Sequence, residues 1–135
     1  MTMSGKYDCE AAQAKLVQAS PALRRCRDAI EADWSPDVPP TTIVFAALGR
    51  CLSSDSESIS LDETKSIWAC VEELFVSGNE EVRNGIATGF VEAVLGDVSA
   101  GRLKADTFAA LLGEETVTYC RAWNKLTGCT IEGID

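Results

Sequence analysis

The sequence predicts an all-α fold, a compact bundle of six to seven antiparallel helices that includes one HEAT-like helical hairpin. Three observations carry this. Apolar residues recur at helical spacing, most clearly Val82, Ile86, Phe90 and Val94. Helix-start and helix-stop residues punctuate the chain at Ser20-Pro21, Ser60, Gly78-Asn79 and Gly113. No segment alternates apolar and polar residues as a half-buried strand does. Thr116-Val117-Thr118-Tyr119 is rich in strand formers, but it lies between acidic helix-start residues and a helical face, and it reads as helix.

The elements follow in order. Residues 8–18 are Ala-rich and poor in β-branched residues, which favours a first helix. Ser20 caps a second, about 21–33, with proline at its first position and Leu23, Cys26, Ala29 and Ile30 on one face. Pro36, Pro39 and Pro40 then forbid helix and make 35–41 a stiff connection. Thr41 or Thr42 caps a third helix, about 42–53, whose apolar character marks it as central and buried. Ser60 and Glu63 fit a capping box for a fourth, about 61–77, with Ile67, Trp68, Val71, Leu74 and Phe75 inward and Gly78 as its stop. Asn79 caps a fifth, about 80–95, with Glu80 and Glu81 complementing its positive end.

Gly85 and Gly89 lie inside that fifth helix, where each costs about 1 kcal/mol against Ala. Two such residues four apart imply close approach of a neighbouring helix. Residues 96–104 read as a turn-rich connection. Asp106 caps a short helix from Thr107 to Leu112, and a last helix, about 114–126, turns Tyr119, Ala122, Trp123 and Leu126 inward. The chain is thus one helical domain over 1–135. An N-terminal helical pair (1–34) and the Pro-rich connection (35–41) precede the main core (42–127), and a frayed tail (128–135) follows. Helices 61–77 and 80–95 form the hairpin. No second copy of that unit is present, so a solenoid is not supported.

Composition removes many functions. Twelve Lys and Arg stand against 21 Asp and Glu, a net charge of −9. A chain this acidic is poorly suited to wrap nucleic acid, since phosphate binding needs clustered cations. The chain holds no histidine, which removes His-containing catalytic triads and His-ligated metal sites. Phosphate-binding glycine loops and calcium-loop spacing are also missing, so no cofactor and no metal is expected. The longest apolar run, Ile43 to Leu48, is far short of the roughly 20 residues a bilayer demands, and the N-terminus lacks the apolar core of a signal peptide. The expected location is cytoplasmic. There the six cysteines, none in CxxC spacing, stay reduced, and Cys26, Cys51, Cys70 and Cys120 serve as small buried hydrophobes. Cys129 is the thiol expected to be exposed.

The carboxylates do not assemble a catalytic dyad. Glu72-Glu73, Glu80-Glu81 and Glu114-Glu115 are adjacent pairs, and neighbours on a helix point about 100° apart. Their distribution is more telling. Residues 1–40 carry five positive and six negative groups, while 41–135 carry seven and fifteen. Such an excess serves solubility, or it serves as a docking surface for a basic protein partner. On the second reading the contact residues are Asp55, Glu57, Asp62, Glu63, Glu73, Glu80 and Glu81, together with Arg83, Asn84, Thr88 and Glu92.

The segment VEELFVSGNEEVRNGIATGFVEAVL (Val71 to Leu95), followed by LLGEETVTYCRAWNKLTG (Leu111 to Gly128), resembles small helical immunity proteins of bacterial competition. These stand beside polymorphic toxins delivered by contact-dependent inhibition, Rhs or type VI secretion systems. The likeness rests on the Gly78–Asn84 junction, the Ala-Thr-Gly-Phe-Val-Glu helix at 87–92, and Leu112-Gly113 followed by Tyr119 to Trp123. It covers roughly half the chain and none of residues 1–58. It implies an all-helical fold and non-catalytic, stoichiometric neutralisation of a cognate toxin domain, without saying which activity is blocked. An acidic inhibitor suits a nuclease or another nucleic-acid- or nucleotide-acting toxin. A helical adaptor with a non-toxin partner is the alternative, and a small carboxylate or cysteine enzyme is a third reading that requires a concave site with perturbed groups. Nothing in the sequence indicates a homo-oligomer, although the apolar 42–53 helix leaves a dimer open.

Overall fold

The computed structural model describes residues 6–134; residues 1–5 and 135 lie outside the described residues. Seven α-helices pack around one core, with no strand among the described residues. They are α1 (Cys9–Ala19), α2 (Pro21–Trp34), α3 (Thr41–Ser54), α4 (Leu61–Ser77), α5 (Glu80–Asn84), α6 (Glu92–Ser99) and α7 (Glu114–Thr127). A π-helical stretch, Gly85–Val91, joins α5 to α6 in one continuous rod. That rod and α4 form the predicted hairpin.

Local chemistry sets most helix starts. The Asp8 carboxylate accepts from the Ala11 amide at 2.8 Å, the Ser20 hydroxyl from Ala22, and the Asn79 side chain from Val82 at 2.8 Å. Two starts depart from expectation. Helix α3 begins at Thr41, directly after Pro40, with no side-chain cap, because the two prolines already hold the chain extended up to the first turn. The capping box of α4 is half formed: Ser60 accepts from the Glu63 amide at 3.1 Å, but the Glu63 carboxylate turns instead to the hydroxyls of Ser20 (2.8 Å) and Ser60 (3.3 Å).

Helix α3 is central, as its apolar sequence predicts, with Val44, Phe45, Leu48 and Cys51 buried. It lies against the π-helical stretch at unusually short range. A side chain at Gly89 would meet the Thr42 carbonyl oxygen at 2.9 Å, one at Gly85 would meet the Phe45 ring at 2.6 Å, and one at Gly49 would meet the Phe90 carbonyl oxygen at 2.4 Å. Three missing side chains let two backbones touch. The widened π turn sits at this crossing. The rod continues to Ser99 rather than stopping near 95. Gly96 has open space around its Cα and does not break the helix.

The C-terminal third corrects three further expectations. Residues 105–111 form two 3-10 turns, Ala105–Thr107 and Ala109–Leu111, in place of one short α-helix, and Asp106 lies inside the first turn rather than capping. On α7 the buried residues are Thr116 and Cys120, with Tyr119 and Trp123 half-buried. Leu126 is 87% exposed and Ala122 is also outside. The tail is docked, not frayed: Ile131 and Ile134 are buried, and the Asn124 amide donates to the Ile134 carbonyl at 2.9 Å. Tyr7 is docked too, bridging to the α4–α5 junction through the Ser77 carbonyl and the Asn79 amide.

Candidate functional site

A cavity of about 340 Å³ opens where the α3–α4 connection meets the loop after α6. Leu52, Trp68, Leu103 and Phe108 give it an apolar interior. Trp68 is fixed by stacking on Phe108 (5.0 Å between ring centroids) and by an edge contact with Phe90 (5.6 Å). Its indole Nε1 is buried and has no hydrogen-bond partner among the described residues. Ser56, Leu61, Thr64 and Asp106 also line the cavity. Leu61 is 63% exposed, an apolar residue in open view. The size falls within the range of small-ligand and anchor pockets.

The predicted contact residues do not form one patch. Asp55, Glu57, Asp62 and Glu63 are chain neighbours of the cavity residues Ser56, Ile59, Leu61 and Thr64, but none of the four lines the cavity, whose one acidic lining residue is Asp106. Glu57 and Asp62 are exposed and make no ion pair among the described residues. Asp55 meets Arg25 at 3.5 Å, and Glu63 is held by the two serines. Glu80, Glu81, Arg83 and Asn84 are exposed at the far end of α4, which at 17 residues spans about 24 Å, and Thr88 is exposed about two turns back along the rod. There Arg83 donates to the Gly78 carbonyl at 2.8 Å and Thr88 to that of Asn84 at 2.7 Å.

Glu73 and Glu92 belong to neither group. Each accepts a hydrogen bond from a tyrosine, Glu73 from Tyr7 and Glu92 from Tyr119. Glu73 also meets Lys15 at 3.1 Å. The Tyr7 hydroxyl and the Lys15 ammonium together hold the Glu73 carboxyl below its usual range, and burial followed by the Glu92 carboxylate pushes the Tyr119 hydroxyl up. Both glutamates knit helices together.

Two polar assemblies have no counterpart in the sequence pattern. The Glu72 carboxylate accepts from the amides of Glu115 (3.0 Å) and Thr116 (2.9 Å) and from the Thr116 hydroxyl (2.8 Å), so α4 caps the start of α7 from outside. Buried Asp97 accepts from Ser53 at 2.6 Å and from the Arg102 guanidinium at 2.9 and 3.0 Å. The cavity itself also escapes the sequence pattern, because Leu103 and Phe108 fall in the segments that read as a connection and a short helix. Their apolar character amid polar neighbours is the signal that could have found it.

Among the described residues no group of three or more His, Cys, Asp or Glu side chains is arranged to hold a metal ion. Burial pushes the Cys70 and Cys120 thiols up to about 12, the reverse of what a thiolate nucleophile needs. No helix among the described residues is long and apolar enough to cross a membrane.

A family model described as a domain of unknown function, DUF7674, matches residues 14–127. The chain belongs to that family. The DUF7674 match runs from within α1 to the last residue of α7, and so contains the cavity and both groups of candidate contacts. Tyr7 and the docked tail lie beyond it. Neither the curated proteins nor the solved structures contain a match to the chain.

Proposed function

We propose that this protein is a cytoplasmic, non-catalytic immunity protein that binds a basic toxin domain through the cavity and the acidic residues that frame it in the chain. The supporting observation is the combination at that one place. An apolar pocket with an exposed leucine, Leu61, and an acidic lining residue, Asp106, is framed in the chain by the exposed carboxylates Glu57 and Asp62, which make no ion pair among the described residues. Tight interfaces pair a buried anchor with a charged surround, which steers encounter and fixes register. The occupant that suits this site presents an apolar or aromatic side chain flanked by Lys or Arg. A nuclease or nucleotide-acting toxin carries such cations in its substrate cleft, and covering them blocks it. The resemblance of residues 71–95 and 111–128 to immunity proteins suggests a toxin as the partner, and the acidic charge suggests its class.

The test begins with the neighbouring gene: where it encodes a large protein, that protein's C-terminal domain is co-expressed with this chain. Relief of toxicity and a one-to-one purified complex are expected. Double charge reversal Glu57→Lys/Asp62→Lys should weaken binding at least tenfold, and Glu80→Lys/Glu81→Lys, some 24 Å away by helix rise, should change it less than threefold. The opposite pattern moves the site to the α5 end. A harmless neighbour or the lack of a complex favours an adaptor with a non-toxin partner.

A further inference from the structure

By sequence, Cys26 and Cys51 are two small buried hydrophobes among several; the geometry sets them apart. The Cys26 thiol donates to the Ala47 carbonyl at 3.3 Å, and the Cys51 thiol donates to the Ala22 carbonyl at 3.6 Å. In an α-helix the carbonyl of residue i receives the amide of residue i+4. Ala22 is therefore the backbone rung of Cys26, and Ala47 that of Cys51. Each thiol rests on the rung of the other cysteine. Two residues related this way stand opposite one another across the antiparallel α2–α3 seam, with their sulfurs facing.

The two positions differ in access. Cys51 is 3% exposed, while Cys26 is partly open to solvent. The thiols also differ in acidity. Cys26 is lowered by the neighbouring Cys51 thiol, against the opposing pull of burial and of Asp55. Cys51 is raised by the neighbouring Cys26 sulfur and by burial. The accessible thiol is the more readily ionised one, and the buried thiol keeps its proton beside it.

We propose that Cys26 and Cys51 are a redox modification site, in which a peroxide converts the facing thiols into a disulfide that ties α2 to α3. The Cys26 thiolate attacks one peroxide oxygen, the O–O bond breaks, and the departing oxygen takes a proton to leave as water. Cys26 is then a sulfenic acid. The Cys51 sulfur attacks the Cys26 sulfur, the S–S bond forms, the S–O bond breaks, and hydroxide leaves as water with the Cys51 proton. Two thiols lose two electrons, and one peroxide gains them to become two waters. The closed loop contains the Pro-rich connection, so the bond restrains the one long non-helical link between the N-terminal pair and the core. The other thiols lack this arrangement: burial alone raises Cys120, Cys70 faces Lys15 and Glu73, Cys9 faces Thr41 and Glu81, and Cys129 faces Ser99 and Thr127.

The test treats the reduced full chain with a small molar excess of hydrogen peroxide, alkylates the remaining thiols with N-ethylmaleimide, and maps the peptides by mass. The expected product is a monomer lighter by two hydrogens, with Cys26 joined to Cys51 and four thiols alkylated in place of six. Dithiothreitol should restore it. Its thermal midpoint should exceed that of the reduced chain by several degrees. Cys51→Ala should stop at a Cys26 sulfenic acid that dimedone traps. The wild-type peptide map decides the matter even if that variant folds poorly. Sulfinic acid at Cys26 without linkage, a bond through Cys9 or Cys129, or an intermolecular dimer as the main product would overturn the assignment.

Discussion

Glu72 shows how much a single side chain decides in this molecule. It sits on α4, yet its carboxylate satisfies two of the four free amides at the start of α7. Burial pushes its pKa up, and its three hydrogen bonds together outweigh that and leave it below the ordinary 4.5. A carboxyl whose folded value is depressed contributes stability that is complete above the unfolded value and is lost as pH falls through the folded one. Glu72→Ala should cost about 1–2 kcal/mol at neutral pH, by the scale of lost caps. Urea midpoints of the variant and the wild type should converge as pH drops below 4.5. A gap that persists at lower pH would show that the cap does not depend on charge. No sequence pattern announces this contact, since residues 72 and 115 are 43 positions apart.

At the scale of elements, the glycines separate local from tertiary control. Gly89 and Gly96 are both interior to one helical rod and carry the same propensity penalty. A methyl on Gly96 would have nothing within 4 Å, whereas one on Gly89 would face the Thr42 carbonyl at 2.9 Å and the Phe45 Cβ at 3.0 Å. Gly96→Ala should therefore stabilise by up to about 1 kcal/mol. Gly89→Ala should destabilise by about 1–3 kcal/mol, because backbone must move to admit the methyl. Thermal midpoints of the two variants shifting in the same direction would contradict the close α3 crossing. The sequence announces that crossing through Gly85 and Gly89 but says nothing of the π turn that sits at it. On α7, Tyr119 and Trp123 of the expected stripe pack half-buried against the core, Cys120 beside them is buried, and Ala122 and Leu126 face out, with Thr116 buried where Glu72 binds it.

Over the whole molecule, the ends and the charge carry consequences. Ile131 and Ile134 are buried against the core although the segment is short and polar enough to suggest fraying. Removing residues 129–135 should lower stability by about 2–4 kcal/mol, on the order expected for exposing two such side chains, and chemical denaturation of the truncated chain would measure it. A net charge of −9 makes encounter with a basic partner sensitive to salt. The association rate with the proposed basic partner should fall by about tenfold or more between low and near-molar salt, while the dissociation rate changes little. A salt-independent association rate would remove charge steering from the docking proposal.

The sequence by itself determined the helices, most of their caps and the apolar stripes of α3, α4 and the α5–α6 rod. Those features depend on residues within a turn or two of each other, and a capping serine or a four-residue period can be read without knowing its neighbours in space. Tertiary structure alone decided which acidic residues remain free. Glu73, Glu92 and Glu63 look as available in the sequence as Glu57 and Asp62, and are tied to Tyr7, Tyr119 and Ser20. It also decided the cavity, the docked tail and the facing thiols of Cys26 and Cys51. Each arises where segments distant in the chain meet, and hydrogen bonding and burial across such a meeting leave no periodic trace along the chain.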